Sequence, residues 1–147
     1  MKPLPRDRDA AIRLPATDAS IETAGARVDA ILSALGVSRE RALRIELALE
    51  ELLVNIVSYA YPADGPGDFE ILIAPSADAI TLTVTDWGRP FNPLEAEPPR
   101  TGDGIDDREP GGLGIHLVRE LARSVRYERA GDANRIAFTF PTGGISG

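Results

Sequence analysis

The chain has 147 residues, a length that predicts one domain with a single core of sheet and helix layers. Its 43% hydrophobic content fits a soluble globular protein, while a net charge of −7 and a pI near 4.7 argue against nonspecific nucleic-acid binding, which needs a basic surface. With no cysteine, the sequence excludes disulfides, thiol catalysis and thiolate metal sites.

Residues 1–9 are rich in Pro and Arg and carry no apolar stretch, so they read as a flexible lead-in rather than a secretory signal. No run approaches the length of a membrane span. The expectation is a cytoplasmic single domain over residues 10–141 with a short tail at 142–147, no membrane and no nucleic-acid partner. A local basic cluster of Arg39, Arg41 and Arg44 stands against the acidic balance.

In chain order, residues 11–14 are expected to form a short edge strand closed by Pro15. A first helix is predicted from an N-cap at Asp18 or Ser20 to about Leu35, before Gly36. Its apolar residues Ile21, Ala24, Val28, Ile31, Leu32 and Leu35 recur at helical spacing. Ser38 is expected to cap a second helix with Glu40 in its first turn, running to about Tyr59 and broken by Pro62. Turn chemistry at 64–67 leads into strands at 69–73 and 79–84, joined by a turn at 76–78.

Residues 93–110 carry Pro, Gly and Asp and no period; a loop of that length in a small domain is usually functional or disordered. A third helix is predicted over 113–122, then strands at 124–129 and 135–140 around a turn at 130–132. This order predicts an α+β two-layer sandwich, a mixed, mostly antiparallel sheet with about three helices on one face.

Three short segments carry chemistry. The first is ELLVN at 51–55, in the second helix. On a helical wheel Ala48, Tyr59, Leu52, Ile45, Ile56, Leu49 and Leu53 fill one core-facing arc, and Glu51 and Asn55 sit together at its edge, roughly 40° apart. Glu46 and Glu50 fall on the opposite flank. An amide at a core boundary needs a partner. A hard cation on the Asn55 carbonyl, with the Glu51 carboxylate taking a proton or orienting a hydroxyl, supplies one; a helix-surface Glu–Asn hydrogen bond supplies another.

The second segment is DWGRPF at 86–91, where an alternating strand runs out into a glycine turn. Asp86 there can accept a hydrogen bond from an exocyclic amine such as adenine N6, with Gly88 admitting a flat ring, or it can be an ordinary Asp-x-Gly turn. The third is GGLGI at 111–115, glycines opening a helix. Free N–H groups at a helix start bind phosphate oxygens, and a glycine hinge is the plainer reading. No Gly-Lys-Ser/Thr follows, as a Walker loop requires, and no strand runs straight into the glycines, as a Rossmann fingerprint requires.

Together the Glu51-x-x-x-Asn55, Asp86-x-Gly88-x-x-Phe91 and Gly112-Leu-Gly114 patterns resemble the N, G1 and G2 boxes of the GHKL (Bergerat-fold) ATPases, which include gyrase-type ATPases and histidine kinases. The sequence is most similar to the stand-alone anti-sigma factor serine/threonine kinases of bacterial partner-switching systems, from about residue 10 to 140. That resemblance implies an ATP- and Mg²⁺-dependent kinase that phosphorylates an anti-sigma antagonist (STAS) protein, sequesters a sigma factor and forms a homodimer.

It further implies Glu51 as general base, Asn55 as Mg²⁺ ligand, Asp86 as the contact to adenine N6 and Gly88 beside the ring. Gly112, Leu113, Gly114 and Ile115 would meet the phosphates, and residues 93–110 would form an ATP lid. The alternative within the resemblance is a non-catalytic ATP-binding module that binds or activates a regulatory protein.

Three positions depart from the family pattern: Asn92 in place of Asp, Tyr59 in place of a frequent His, and Asn134 near an adenine-contacting Thr. The lid carries Glu95, Glu97, Asp103, Asp106, Asp107 and Glu109 against Arg100 and Arg108. Its acids are expected to face solvent or a partner while one of the arginines turns to the γ-phosphate. His116 reads as structural, and Trp87 and Phe91 as packing or as lining of the adenine pocket.

Overall fold

A computed structural model describes residues 10–61, 67–92 and 120–142 of the chain. The elements are β1 (Ala10–Pro15), α1 (Asp18–Ala34), α2 (Arg39–Tyr59), β2 (Asp68–Pro75), β3 (Ala79–Asp86), β4 (Ser124–Ala130) and β5 (Ala133–Pro141). Of the predicted third helix Glu120, Leu121 and Ala122 fall among the described residues; the first two are helical and Ala122 has already left the helix. The rest of it lies outside them, as do the lid at 93–110, the glycine loop at 111–115, and Arg100, Arg108 and His116.

The five strands form one sheet in the order β1-β2-β3-β5-β4. Every pairing is antiparallel, so the sheet is not mixed as predicted. The two helices between β1 and β2 return the chain in the direction that pairs β2 antiparallel to β1, and the remaining neighbours meet as hairpins or across β3–β5. In the last hairpin Ala130 faces Ala133 across Gly131 and Asp132. Gly131 takes φ 64, the left-handed conformation that a tight two-residue loop asks of its first position.

Strand alternation sorts the side chains. Phe69, Ile71 and Ile73 of β2, Ile80, Leu82 and Val84 of β3, and Ile136, Phe138 and Phe140 of β5 are buried, and the register sets them side by side as one apolar face. Ala24, Val28 and Leu32 of α1 and Ile45, Leu49, Leu52, Leu53 and Ile56 of α2 complete the core. No described helix is long and apolar enough to cross a membrane.

The helix starts follow capping chemistry. Ser38 accepts from Arg41 N as expected. The first helix, however, is capped by Thr17, whose side chain accepts from Ser20 N, and not by Asp18 or Ser20, which lie inside it. The arginine cluster is internally compensated: Arg39 pairs with Asp29 at 2.6 Å, Arg44 with Glu40 at 3.4 Å, and Arg41 donates to the Pro141 carbonyl at 3.0 Å. Where α1 meets α2, burial and a hydrogen bond with Asp29 push the Glu46 carboxyl up to about 7.

Candidate functional site

The core face of the sheet ends in polar groups. In the β3–β5 register Val84 faces Ile136 and, one alternation on, Asp86 faces Asn134. Both lie on the side the helices cover, and both are buried, at 6% and 5% exposure. Groups this deep must be hydrogen-bonded. Asp86 Oδ1 accepts from Gly88 N at 2.9 Å and from Asn134 Nδ2 at 3.0 Å. Asn134 also donates to the Arg89 carbonyl at 2.8 Å, while its Oδ1 accepts from the Tyr127 hydroxyl at 2.5 Å and from Phe91 N at 3.3 Å. One side-chain amide thus ties β3, β4, β5 and the segment after β3 together.

Asn55 enters from the opposite layer. At 6% exposure it is buried, deeper than the core-edge position the helical wheel assigns. Its Nδ2 donates to the backbone carbonyl of Glu51 at 3.2 Å. The Glu–Asn contact is therefore to the main chain of Glu51, not the surface side-chain pair considered from sequence. The bond occupies the amide N–H and leaves the carbonyl oxygen, a hard donor, for other use. Glu51 itself is half-buried, and burial, then the charge of Glu50, raises its carboxyl above the ordinary value.

Asn55, Asp86 and Asn134 all line one pocket between α2 and the sheet. Its remaining described walls are apolar: Leu52 and Ile56 from α2, Ala60 at the cap that ends it, Val84 and Ile136 from the sheet. Phe91 and Tyr127 close it. An apolar slot with a few convergent polar groups is the form a flat heterocycle requires. Glu51 is not among these lining residues; it stands one helical turn before Asn55, on the solvent side.

The segment after β3 is clamped onto the end of α2. Arg89 N donates to the Ala60 carbonyl at 3.0 Å, the Arg89 guanidinium to the Tyr59 carbonyl at 2.9 Å, and Arg129 to the Gly88 carbonyl at 2.9 Å. A Cβ on Gly88 would lie 2.6 Å from the Ala60 carbonyl carbon, so the glycine is required by the helix end as well as by any ring. Tyr61 donates to the Asp68 carbonyl at 2.6 Å and accepts from Trp87 N at 2.8 Å. Trp87 lies under the Arg13 guanidinium, 4.4 Å from its ring centre, and is not part of the pocket lining. Phe91 is, and it packs against Tyr59 at 6.3 Å.

The structure thus brings together Asn55, Asp86, Phe91 and, through its backbone, Gly88. Gly112, Leu113, Gly114, Ile115, Arg100 and Arg108 lie outside the described residues. Sequence reasoning gave no role to Tyr61, Arg89, Tyr127 or Arg129, and noted Asn134 only as a departure. The available signal was an Asn one residue into a strand whose inward positions are otherwise apolar.

A two-layer α+β fold with an apolar pocket between helix and sheet, carrying Asn55, Asp86 and Asn134, defines a class: the chain belongs to the histidine kinase-like ATPase domain family, whose model matches residues 14–140. Within that class it is similar to the serine/threonine-protein kinase BtrW of Bordetella bronchiseptica, 28% identical over 95 residues, 65% of this chain and 67% of that protein. It is similar also to the serine-protein kinase RsbW of Bacillus licheniformis, 28% identical over 102 residues, 67% of this chain and 64% of the relative. The chain thus spans about two thirds of the length of these relatives.

Among solved structures, the RsbU and RsbW domains of a Mycobacterium tuberculosis protein share its fold with a TM-score of 0.64 at 18% identity, over 90% of this chain and 32% of that one. The mycobacterial sensor histidine kinase MprB aligns with a TM-score of 0.52 at 15% identity, over 90% of this chain and 99% of that one.

Proposed function

We propose that the protein is a cytoplasmic anti-sigma regulatory factor: an ATP- and Mg²⁺-dependent serine/threonine kinase that phosphorylates a STAS-type antagonist and sequesters a sigma factor. The observation that carries this is the convergence of Asn55 and Asp86, from different layers, on one apolar slot. The names of the 28% identical relatives support the kinase reading.

Each residue takes a role its surroundings favour. Asp86 accepts a hydrogen bond from the exocyclic amine of adenine, whose ring lies against Ile56, Val84 and Phe91. Asn55 offers its carbonyl oxygen to the cation, held in that orientation by its bond to the Glu51 carbonyl. Bound there, Mg²⁺ neutralises phosphate charge.

Glu51 takes the proton as the partner's Ser or Thr oxygen bonds to the γ-phosphorus and the bond to the ADP oxygen breaks. Its raised carboxyl makes it a stronger base than a free glutamate. Gly112, Leu113, Gly114 and Ile115 are assigned to phosphate oxygens, Arg100 or Arg108 to the γ-phosphate, and 93–110 to the lid. Residues 10–141 act as one kinase domain, working as a homodimer.

The test is incubation with γ-labelled ATP, Mg²⁺ and candidate STAS proteins. Stable label on a Ser or Thr of one of them is expected. ATP binding with no transfer to any candidate would replace the kinase by a nucleotide-dependent binding module.

A further inference from the structure

Asn134 uses all of its hydrogen-bonding capacity within the protein. Its two N–H bonds go to Asp86 Oδ1 and the Arg89 carbonyl, and its oxygen accepts from Tyr127 and Phe91 N. It therefore has no N–H to spare for a bound base, although it lines the pocket. What it does instead is fix its neighbour. Among the described residues, every hydrogen bond that the Asp86 carboxylate accepts falls on Oδ1, from Gly88 N and Asn134 Nδ2. That leaves Oδ2 as the oxygen for a ligand.

Groups that only accept or only donate set the Asn134 amide: Asp86 Oδ1 and the Arg89 carbonyl take its N–H bonds, and Phe91 N gives to its oxygen. The Tyr127 hydroxyl, donating to the same oxygen at 2.5 Å, braces the amide in that orientation; a flipped amide would set oxygen against carboxylate oxygen and nitrogen against Phe91 N. Tyr127 comes from β4, Asn134 from β5 and Asp86 from β3, so the arrangement spans three neighbouring strands.

We propose that Tyr127 and Asn134 are positioning residues for nucleobase selection: they aim one Asp86 oxygen, an acceptor only, at the pocket and so select a purine bearing an exocyclic amine over the same purine bearing a carbonyl. This rests on the reading of Asp86 as the base contact. A carbonyl placed there faces an oxygen with no hydrogen between them, a loss that a site built around an acceptor imposes strongly.

The experiment measures dissociation constants for ATP and ITP, which differ at that one substituent, with thermal midpoints recorded for each variant. The wild type is expected to prefer ATP on the order of tenfold to a hundredfold, the range of a hydrogen bond to a charged group. Tyr127→Phe, which removes one oxygen, is expected to reduce the ATP/ITP ratio about three- to tenfold. Asn134→Ala is expected to reduce it at least as far, and Tyr127→Phe to add nothing in the Asn134→Ala background, since the tyrosine acts through the asparagine.

Asp86→Asn carries the sharpest expectation. With Gly88 N and Asn134 Nδ2 holding the new carbonyl, its amide N–H faces the base, and preference moves toward ITP. Should Asn134→Ala fail to fold, Tyr127→Phe decides alone. An unchanged ratio in folded Tyr127→Phe, with a collapsed or reversed ratio in Asp86→Asn, would overturn the positioning role and leave the base contact standing. An unchanged ATP affinity and ratio in Asp86→Asn would overturn the base contact and this proposal with it.

Discussion

Two acids on the same helix differ because their surroundings differ. Glu51 lies half-buried beside Asn55, while Glu46 lies against Asp29 and the Arg39 guanidinium at the contact with α1. Burial and the shared hydrogen bond raise Glu46 from an ordinary 4.5 to about 7. Between those values the folded protein holds a proton that the unfolded chain has released, so stability is greatest below the lower value and falls as pH rises through the upper. Asp29, lowered first by its hydrogen bond to Glu46, acts in the opposite sense and only at more acid pH. Urea unfolding of the wild type from pH 5 to 8 is expected to show that fall, and Glu46→Gln to flatten it.

At this scale the sequence was legible where local chemistry decides. Helical spacing singled out Glu51 and Asn55, and strand exit singled out Asp86. It gave no role to Tyr127 and noted Asn134 only as a departure from the family pattern, because what they do depends on a register between residues 48 positions apart.

Among the elements, the end of α2 and the segment after β3 depend on one another. The helix finishes against Gly88 and Arg89, and Tyr61 ties the same end to β2. Gly88→Ala is expected to destabilise the fold by about 1–3 kcal/mol, because a Cβ there meets backbone that cannot yield as a side chain would. Equilibrium denaturation checks this. The opening of α1 gives a smaller, cleaner test: Thr17→Ala is expected to remove about 1 kcal/mol, and Asp18→Ala only a few tenths.

Sequence placed this cap one or three residues too late because Thr17, Asp18 and Ser20 are all capping residue types, and only backbone conformation separates them. Strand identities survived single-sequence reading, since alternation is local. The all-antiparallel pairing did not, because direction is set by how the two helices return the chain.

For the whole molecule, topology builds the pocket from distant parts of the chain: α2 supplies Asn55, β3 Asp86, and the last hairpin Tyr127 and Asn134. Such a site stabilises the fold when filled. At a hundredfold excess of ATP over its dissociation constant, stability is expected to rise by about 2.7 kcal/mol, or several degrees of midpoint. Chelating Mg²⁺ is expected to remove most of that rise, and Asn55→Ala to make it insensitive to the chelator.

On the proposed reading Asn55 and Asp86 hold the nucleotide while Glu51, one helical turn before Asn55, does the chemistry, so binding and transfer are separable. The most direct measurement is ATP affinity and phosphoryl transfer to a candidate STAS antagonist in Glu51→Ala beside the wild type. Transfer is expected to fall about a hundredfold or more, the range of general-base catalysis, with ATP affinity within about twofold. Transfer that persists undiminished in Glu51→Ala would contradict it.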